Sequence, residues 1–258
     1  MTLRRKLLNT VIGLSILLLI WQGIVLTGRY PQYLLPSPLD VFGSMAELVY
    51  NGTLWKHLIV SLYRFSVGYL SAITAGVVLG LVFGWFRKIW GIVDPIVQVL
   101  RPIAPIAWSP FIVLWFGIGD LPAIVIIFIA AFFPVLLSTV AAVSKVDQVY
   151  LKVAKNFDIK QPYVLTKVIL PAIFPYITSG LHIALGSAWI FLVAGEMIGT
   201  QSGLGFMIID ARNTLRSDML LAGMIFIGII GLLLDKAIQL FEKWVGKKWS
   251  IVPNERGV

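Results

Sequence analysis

Along this chain, apolar stretches of about 20 residues alternate with short polar ones, and an uncharged stretch of that length is what a helix needs to cross ~30 Å of hydrocarbon. The pattern predicts six spans: Leu7 to Leu26, Phe65 to Phe86, Pro95 to Ile118, Leu121 to Val143, Ile173 to Gly195 and Met219 to Phe241. Membrane-spanning strands would alternate apolar and polar residues with period two, and that pattern is absent, so the fold class is an all-α polytopic membrane protein. The first span follows Arg4, Arg5 and Lys6 and lacks a small-residue cleavage site, which marks it as a retained helix. Between the first two spans, YPQYLLPSPLDVFGSMAELVYNGTLWKH reads as an interfacial loop with a short helix, and the second span stops at Arg87 and Lys88.

Composition agrees with this reading. The 258 residues are 59% hydrophobic and only 13% charged, with a mean hydropathy of +0.91, far from the profile of a soluble domain. The net charge of +9 does not indicate nucleic acid, because the basic residues lie between apolar spans and not on one soluble face. Six spans from a cytoplasmic N-terminus place the N-terminus, the Arg87/Lys88 loop, the segment 147–171 and the tail with Lys243, Lys247 and Lys248 inside. The other side then holds chiefly Arg29, Lys56, Arg212 and Arg216, as the positive-inside rule prefers. The expected organisation is an N-terminal helix and outer connection over 1–60, a transmembrane core over 61–245 and a cytoplasmic tail over 246–258. No internal repeat is visible.

Two features concern helix packing. Gly68, Ala72, Gly76, Gly80 and Gly84 recur every four residues and form a ridge that lets another backbone approach closely. It reads as intramolecular packing, with a subunit contact as the alternative. The third span carries Pro95, Pro102, Pro105 and Pro110, each removing a backbone donor, and broken helix at membrane depth survives only where protein or a watery cavity satisfies the freed groups. The stretch RPIAPIAWSP is therefore either a pathway or gate element, or a kinked packing helix with Arg101 snorkelling to the headgroups.

The segment VSKVDQVYLKVAKNFDIKQPYVLTKVILP is too polar to cross and carries helix signals. Ser144 or Asp147 stands as a cap, Val149, Val153 and Phe157 repeat at spacing four beside Lys152, Lys155 and Asn156, and Pro162 opens a second short helix. A helix, turn and helix of this kind suits docking in a groove of another protein. Its spacing resembles the cytoplasmic loop of permease subunits of ATP-binding-cassette importers, where Glu-Ala-Ala, three residues, Gly, nine residues and Ile-x-Leu-Pro form the coupling helix. Aligned on Leu170 and Pro171, the alanine positions hold Val153 and Ala154, the isoleucine position Val168, the glutamate position Lys152 and the glycine position Asp158. The lysine reverses a charge, and the aspartate is one of the few non-glycine residues that enters the left-handed turn readily.

The resemblance covers most of the chain: LLPSPLDV, RPIAPIAWSPFIVLWFGIG, LPAIFPYITSGLHIALGSAW and VAGEMIGTQSGLGFMI are similar, in order and spacing, to the nitrate, sulfonate, taurine and bicarbonate importer permeases. The resemblance implies a type I importer permease fold and a homodimer. It also implies two cytoplasmic ATPase subunits holding ATP and Mg, an extracytoplasmic substrate-binding protein, a prokaryotic inner membrane and alternating access. Vitamin-precursor permeases look alike. No GxxxxGK[ST] phosphate loop occurs, so energy for pumping has to come from another polypeptide, and no cofactor is expected in this chain.

Glu196 ends the fifth span, where an acid is expensive and hence a functional candidate. It also fits a structural acid fixing the outer loop through backbone amides or Arg212, since a carboxylate would repel the anions that the resemblance implies. His182 lies about 21 Å away along a helix, too far for a direct relay, and reads as a packing histidine. Arg101, Pro105, Trp108, Ser187, Trp189 and Glu196 are candidates for the translocation path, and Arg101, Arg212 and Arg216 are charges that attract an anion. With no cysteine and two distant histidines there is no thiolate or His-rich metal site, and no HExxH or nucleophile elbow, so an intramembrane enzyme is not expected. A secondary transporter or channel, or an ATPase-recruiting scaffold, remains as an alternative class.

Overall fold

The computed structural model describes residues 3–146, 149, 156, 157, 160, 163, 164 and 169–248. Among these described residues nine α-helices follow in chain order: α1 (Leu3–Leu26), α2 (Pro38–Tyr50), α3 (Thr53–Trp85), α4 (Arg87–Leu100), α5 (Ser109–Phe116), α6 (Asp120–Ser144), α7 (Leu170–Gly199), α8 (Leu204–Asn213) and α9 (Ser217–Lys248). A 3-10 turn, Pro105–Trp108, precedes α5. Among the described residues five helices are long and apolar enough to cross a membrane, or six if α4 and α5 make one bent span. The chain divides into two compact units, Met1–Val60 with Ser202–Ile229, and Ser61–Gln201 with Ile230–Val258.

In the first unit, α1 exposes most of its leucines and isoleucines, Leu8, Ile12, Leu14, Ile16, Leu17 and Leu19 among them, an arrangement suited to lipid and not to water. Its Trp21 indole donates to the Pro36 carbonyl at 3.1 Å. The short helix expected in the outer connection is α2. Ser37 is its N-cap, Pro38 its first residue and Asp40 the reciprocal partner in a capping box. Hydrogen bonds from Gln32 and Ser37 hold the Asp40 carboxyl below the usual range. Arg216 is fastened by Asp218 at 2.8 Å and Glu47 at 3.1 Å, and Asp218 also accepts from Ser44. Leu215 closes α8 at φ 56°, a left-handed position, while Arg216 N–H bonds Ala211 and Leu215 N–H bonds Arg212 in the 6→1 and 5→2 pattern that satisfies a helix end.

In the second unit the glycine ridge of α3 meets α6. A Cβ at Gly68 would lie 2.8 Å from Ile127, at Gly76 2.9 Å from Val135, at Gly80 2.5 Å from Thr139 and at Gly84 2.6 Å from Val143. Both series advance by four residues, and Ala72 and Ala131, each fully buried, fill the same register between them. The ridge is therefore intramolecular. Because partners on both helices rise together in number, α3 and α6 run parallel. The chain must return from the end of α3 to the start of α6, and the intervening α4 and α5 make that return. They are one crossing bent by 85°. At 14 and 8 residues neither is long enough to cross ~30 Å alone at 1.5 Å per residue.

Helix α7 runs antiparallel to α6, with Gly180 against Ser138 near one end and Gly199 against Pro122 at the other. It is antiparallel to α9 too, since Trp189 covers Gly231 and His182 meets Asp235. Four sequence-based boundaries need correction. Helix α3 begins twelve residues before Phe65, at Thr53. Arg87 and Lys88 open α4 and do not form a loop. Pro95 lies inside α4, and the break comes at 101–104. Helix α8 was not foreseen because its hydropathy is diluted by Asp210, Arg212 and Asn213.

Replacing Gly80 by Ala is expected to lower the stability of the purified protein by about 1–3 kcal/mol, the usual cost of overpacking. Gly91 has nothing within 4 Å of an added Cβ, so Gly91→Ala should leave stability unchanged or slightly raised. Thermal unfolding in detergent checks both, and equal effects would contradict the close α3 to α6 contact.

Candidate functional site

The charged centre of the second unit is built by α3, α6 and α7. His57, Ser61 and Arg64 fall at i, i+4 and i+7 and so share one face of α3. Arg64 is only 1% exposed, and Glu196, near the end of α7, is 0% exposed. One Arg64 Nη contacts the Glu196 carboxylate at 2.8 Å and the other contacts Asp120, at the start of α6, at 2.6 Å. Arg64 Nε adds a bond to Asp120 at 2.7 Å, and the Ser61 hydroxyl lies 2.8 Å from both Glu196 oxygens. Gly119 N–H donates to the Gly199 carbonyl, tying the start of α6 to the end of α7.

Burying charges is tolerable only where geometry and hydrogen bonds satisfy them. That condition is met: among the described residues no buried side-chain nitrogen or oxygen lacks a partner. Glu196 is paired with Arg64 inside the second unit, while Arg212, in the first, is exposed and lies beside Asn213. Arg64 was not singled out from the sequence. The signal was present in the helical spacing of Ser61 and Arg64 at the edge of an apolar run.

The other path candidates lie apart from this cluster in character. Arg101 is exposed where α4 ends, and the break continues through Pro102 to the 3-10 turn that holds Pro105 and Trp108. Trp108 N-caps α5, whose Ser109 and Ile112 are buried while Leu114 and Trp115 are exposed. The 3-10 turn packs on α6 and α7. Ser187 is half-buried on α7, but Trp189 is 7% exposed, its indole over Gly231 and its ring edge-on to Phe65 at 5.6 Å. Arg216 is bound in its own acid cluster.

Of the docking segment 147–171, Lys152, Val153, Ala154, Asp158 and Val168 lie outside the described residues. Leu170 and Pro171 form the first turn of α7, with proline at a position where its missing N–H costs nothing. Ile169 and Val164 just before them are buried. From there α7 runs as a single helix of 30 residues.

Residues 72–251 match the family model described as "Binding-protein-dependent transport system inner membrane component". The chain is 35% identical over 246 residues to the taurine transport system permease protein TauC of Escherichia coli (strain K12), covering 93% of this chain and 90% of that one. It is 33% identical over 249 residues to the nitrate import permease protein NrtB of Synechocystis, again covering 93% and 90%. Its fold is similar to a chain from the inward-facing MetNI methionine ABC transporter, with TM-score 0.58, 17% identity and coverage of 74% of this chain and 94% of that one.

Replacing Arg64 alone by Met leaves Glu196 buried without its cation and is expected to cost about 3–5 kcal/mol. Combining it with Glu196→Leu should recover much of the loss. The yield of monodisperse protein after extraction and its unfolding temperature are the measurements; a double variant no better than the single one would contradict a pairing role.

Proposed function

The chain belongs to the family of binding-protein-dependent transport system inner membrane components, and from that premise we propose how its parts serve import. It is a multi-pass permease subunit of an ATP-driven importer with the type I permease fold. The end-to-end extent of its similarity to taurine and nitrate permeases carries the reading that its cargo is a small oxyanion, a sulfonate or nitrate. Arg101, Pro105, Trp108 and Ser187 are the residues we assign to the path. Glu196 and Trp189 hold its wall in place.

The segment 147–171 docks the ATPase. Parallel packing of α3 and α6 puts the end of α3, the end of α6, the start of α7 and the end of α9 on one side of the bilayer. The described basic residues Arg87, Lys88, Lys145, Lys160 and Lys243 collect there, while Asp120 marks the other side. By the positive-inside rule that side is cytoplasmic, together with both termini. The chain has no phosphate-loop motif, so ATP and Mg sit on two partner ATPase subunits, with a second copy of this chain completing the pathway and a binding protein delivering cargo outside. Coupling is then a two-state equilibrium biased from both sides. No catalytic role falls to this chain.

Proteoliposomes containing the chain, its ATPase and its binding protein should take up labelled taurine or nitrate on addition of ATP. Leaving out the ATPase should reduce uptake to background, and uptake unaffected by the omission would rule the reading out. Lys152→Glu should alter ATPase affinity in pull-down while membrane insertion stays at the wild-type level.

A further inference from the structure

A second set of ionisable groups lies fourteen residues from Glu196 along α7, about 21 Å at the helical rise. His182 Nδ1 is 3.2 Å from Asp235 Oδ1, and His182 Nε2 is 3.0 Å from Glu242 Oε2. Both acids lie on α9, seven residues and so two turns apart, and they grip the ring from its two ends. The three side chains are half-buried, at 28%, 42% and 37% exposure.

Proton counting decides what this geometry requires. A neutral imidazole has one N–H and one acceptor nitrogen, so against two carboxylates it makes one hydrogen bond and one repulsive contact. Both contacts become hydrogen bonds only when the set holds one further proton. The further proton belongs on the ring, because an imidazole (pKa ~6.5) is a stronger base than a carboxylate (~4), and Asp235 Oδ2 already accepts from Gln239 at 2.8 Å. It also lowers the net charge of the set from −2 to −1, which matters among spanning helices where charge is expensive.

Among the described residues no lysine or arginine is paired with either acid, and Lys145, just beyond α6, lies over the Tyr176 ring of α7. Lys236 and Lys243 follow the two acids by one residue, are exposed, and point off the gripping face by the helical turn. On the elements packed against α7, the charged residues of α3 from Ser61 onward and of α6 are Arg64 and Asp120, both committed to the Glu196 end. On α3, Tyr69 reaches the Leu181 carbonyl with its hydroxyl, a neutral contact beside the set.

We propose that His182, Asp235 and Glu242 form a proton-binding site in the membrane core that clamps α7 to α9 when occupied. Its occupancy then sets how firmly the helix continuing the ATPase-docking segment is held to the last span, so transport depends on pH at the side of the bilayer where α7 starts. This consequence rests on the importer reading; the proton site itself does not.

The chain has two histidines, which makes the site directly observable. In the full chain labelled with ¹⁵N-histidine in nanodiscs, His182 should show both ring nitrogens protonated at pH 7. His57 should show one bare nitrogen, because its Nδ1 accepts from Gly203 N–H at 3.0 Å. His57→Gln assigns the signals. Loss of the second proton on His182 in Asp235→Asn/Glu242→Gln would support the clamp, and a bare nitrogen on His182 at pH 7 in the unaltered chain would overturn it.

In proteoliposomes with the ATPase and binding protein, ATP-driven uptake should fall about threefold or more as the His182 proton is lost, the fold-change of one forfeited hydrogen bond. His182→Arg, permanently charged, should flatten that profile, and His182→Gln should be slow at every pH. The unaltered profile in both variants would overturn the link to transport. Absence of any ATP-driven uptake in the unaltered complex would instead tell against the importer reading and leave the NMR result standing.

Discussion

Everything in the second unit depends on how closely α3 can approach α6. Lipid gives apolar helices no reason to associate, so the energy must come from contact between backbones and small side chains. Glycine, with alanine at 72, at every fourth position of α3 makes a continuous groove that accepts Ile127, Val135, Thr139 and Val143. Arg64 stands four residues before Gly68, on the same ridge. The register that seats the glycines therefore also delivers the guanidinium to Asp120 at the head of α6. One periodicity specifies both the packing and the ion pair.

That parallel contact constrains the chain between the two helices. The return crossing has to cover the same thickness, yet it is split by Pro102 and Pro105 and bent by 85°. Backbone groups freed at such a break need partners other than lipid. At the break Ile103 N–H bonds Leu100 and Ala107 N–H bonds Ala104, and the 3-10 turn packs on α6 and α7, whose ends are already joined by the Gly119 to Gly199 bond. A discontinuous span is affordable here because continuous helices hold both of its sides.

Much of this was legible from residue order. The spans, the ridge and the short helix after the first span follow from periodicity and capping chemistry, which act locally. What escaped shares one cause: a hydropathy window averages over all faces of a helix, so it discards polar residues that serve one buried face. A hydropathy window starts the second span only at Phe65 and leaves 53–57 in the outer connection, because Lys56, His57, Ser61 and Arg64 lower the average, although the last three lie at helical spacing. From sequence the partners offered for Glu196 are backbone amides or Arg212, close by in the chain, whereas Arg64 is 132 residues away. Antiparallel or parallel packing, and hence which distant charges meet, is a tertiary fact that no local pattern carries.

Helix α7 links these observations. It starts at Leu170, beside the segment read as the docking element, and has the Arg64 and Glu196 pair near its end, with His182 between. At its far end charge is sealed among α3, α6 and α7 by a guanidinium that keeps its protons at any physiological pH. Toward its near half the grip on α9 is made by an imidazole, the side chain whose protonation changes in that range. A rod fixed permanently at one end and conditionally nearer the other can swing only about the fixed end. A displacement entering at Pro171 would then be resisted according to the state of His182, and would move the start of α7 more than Glu196.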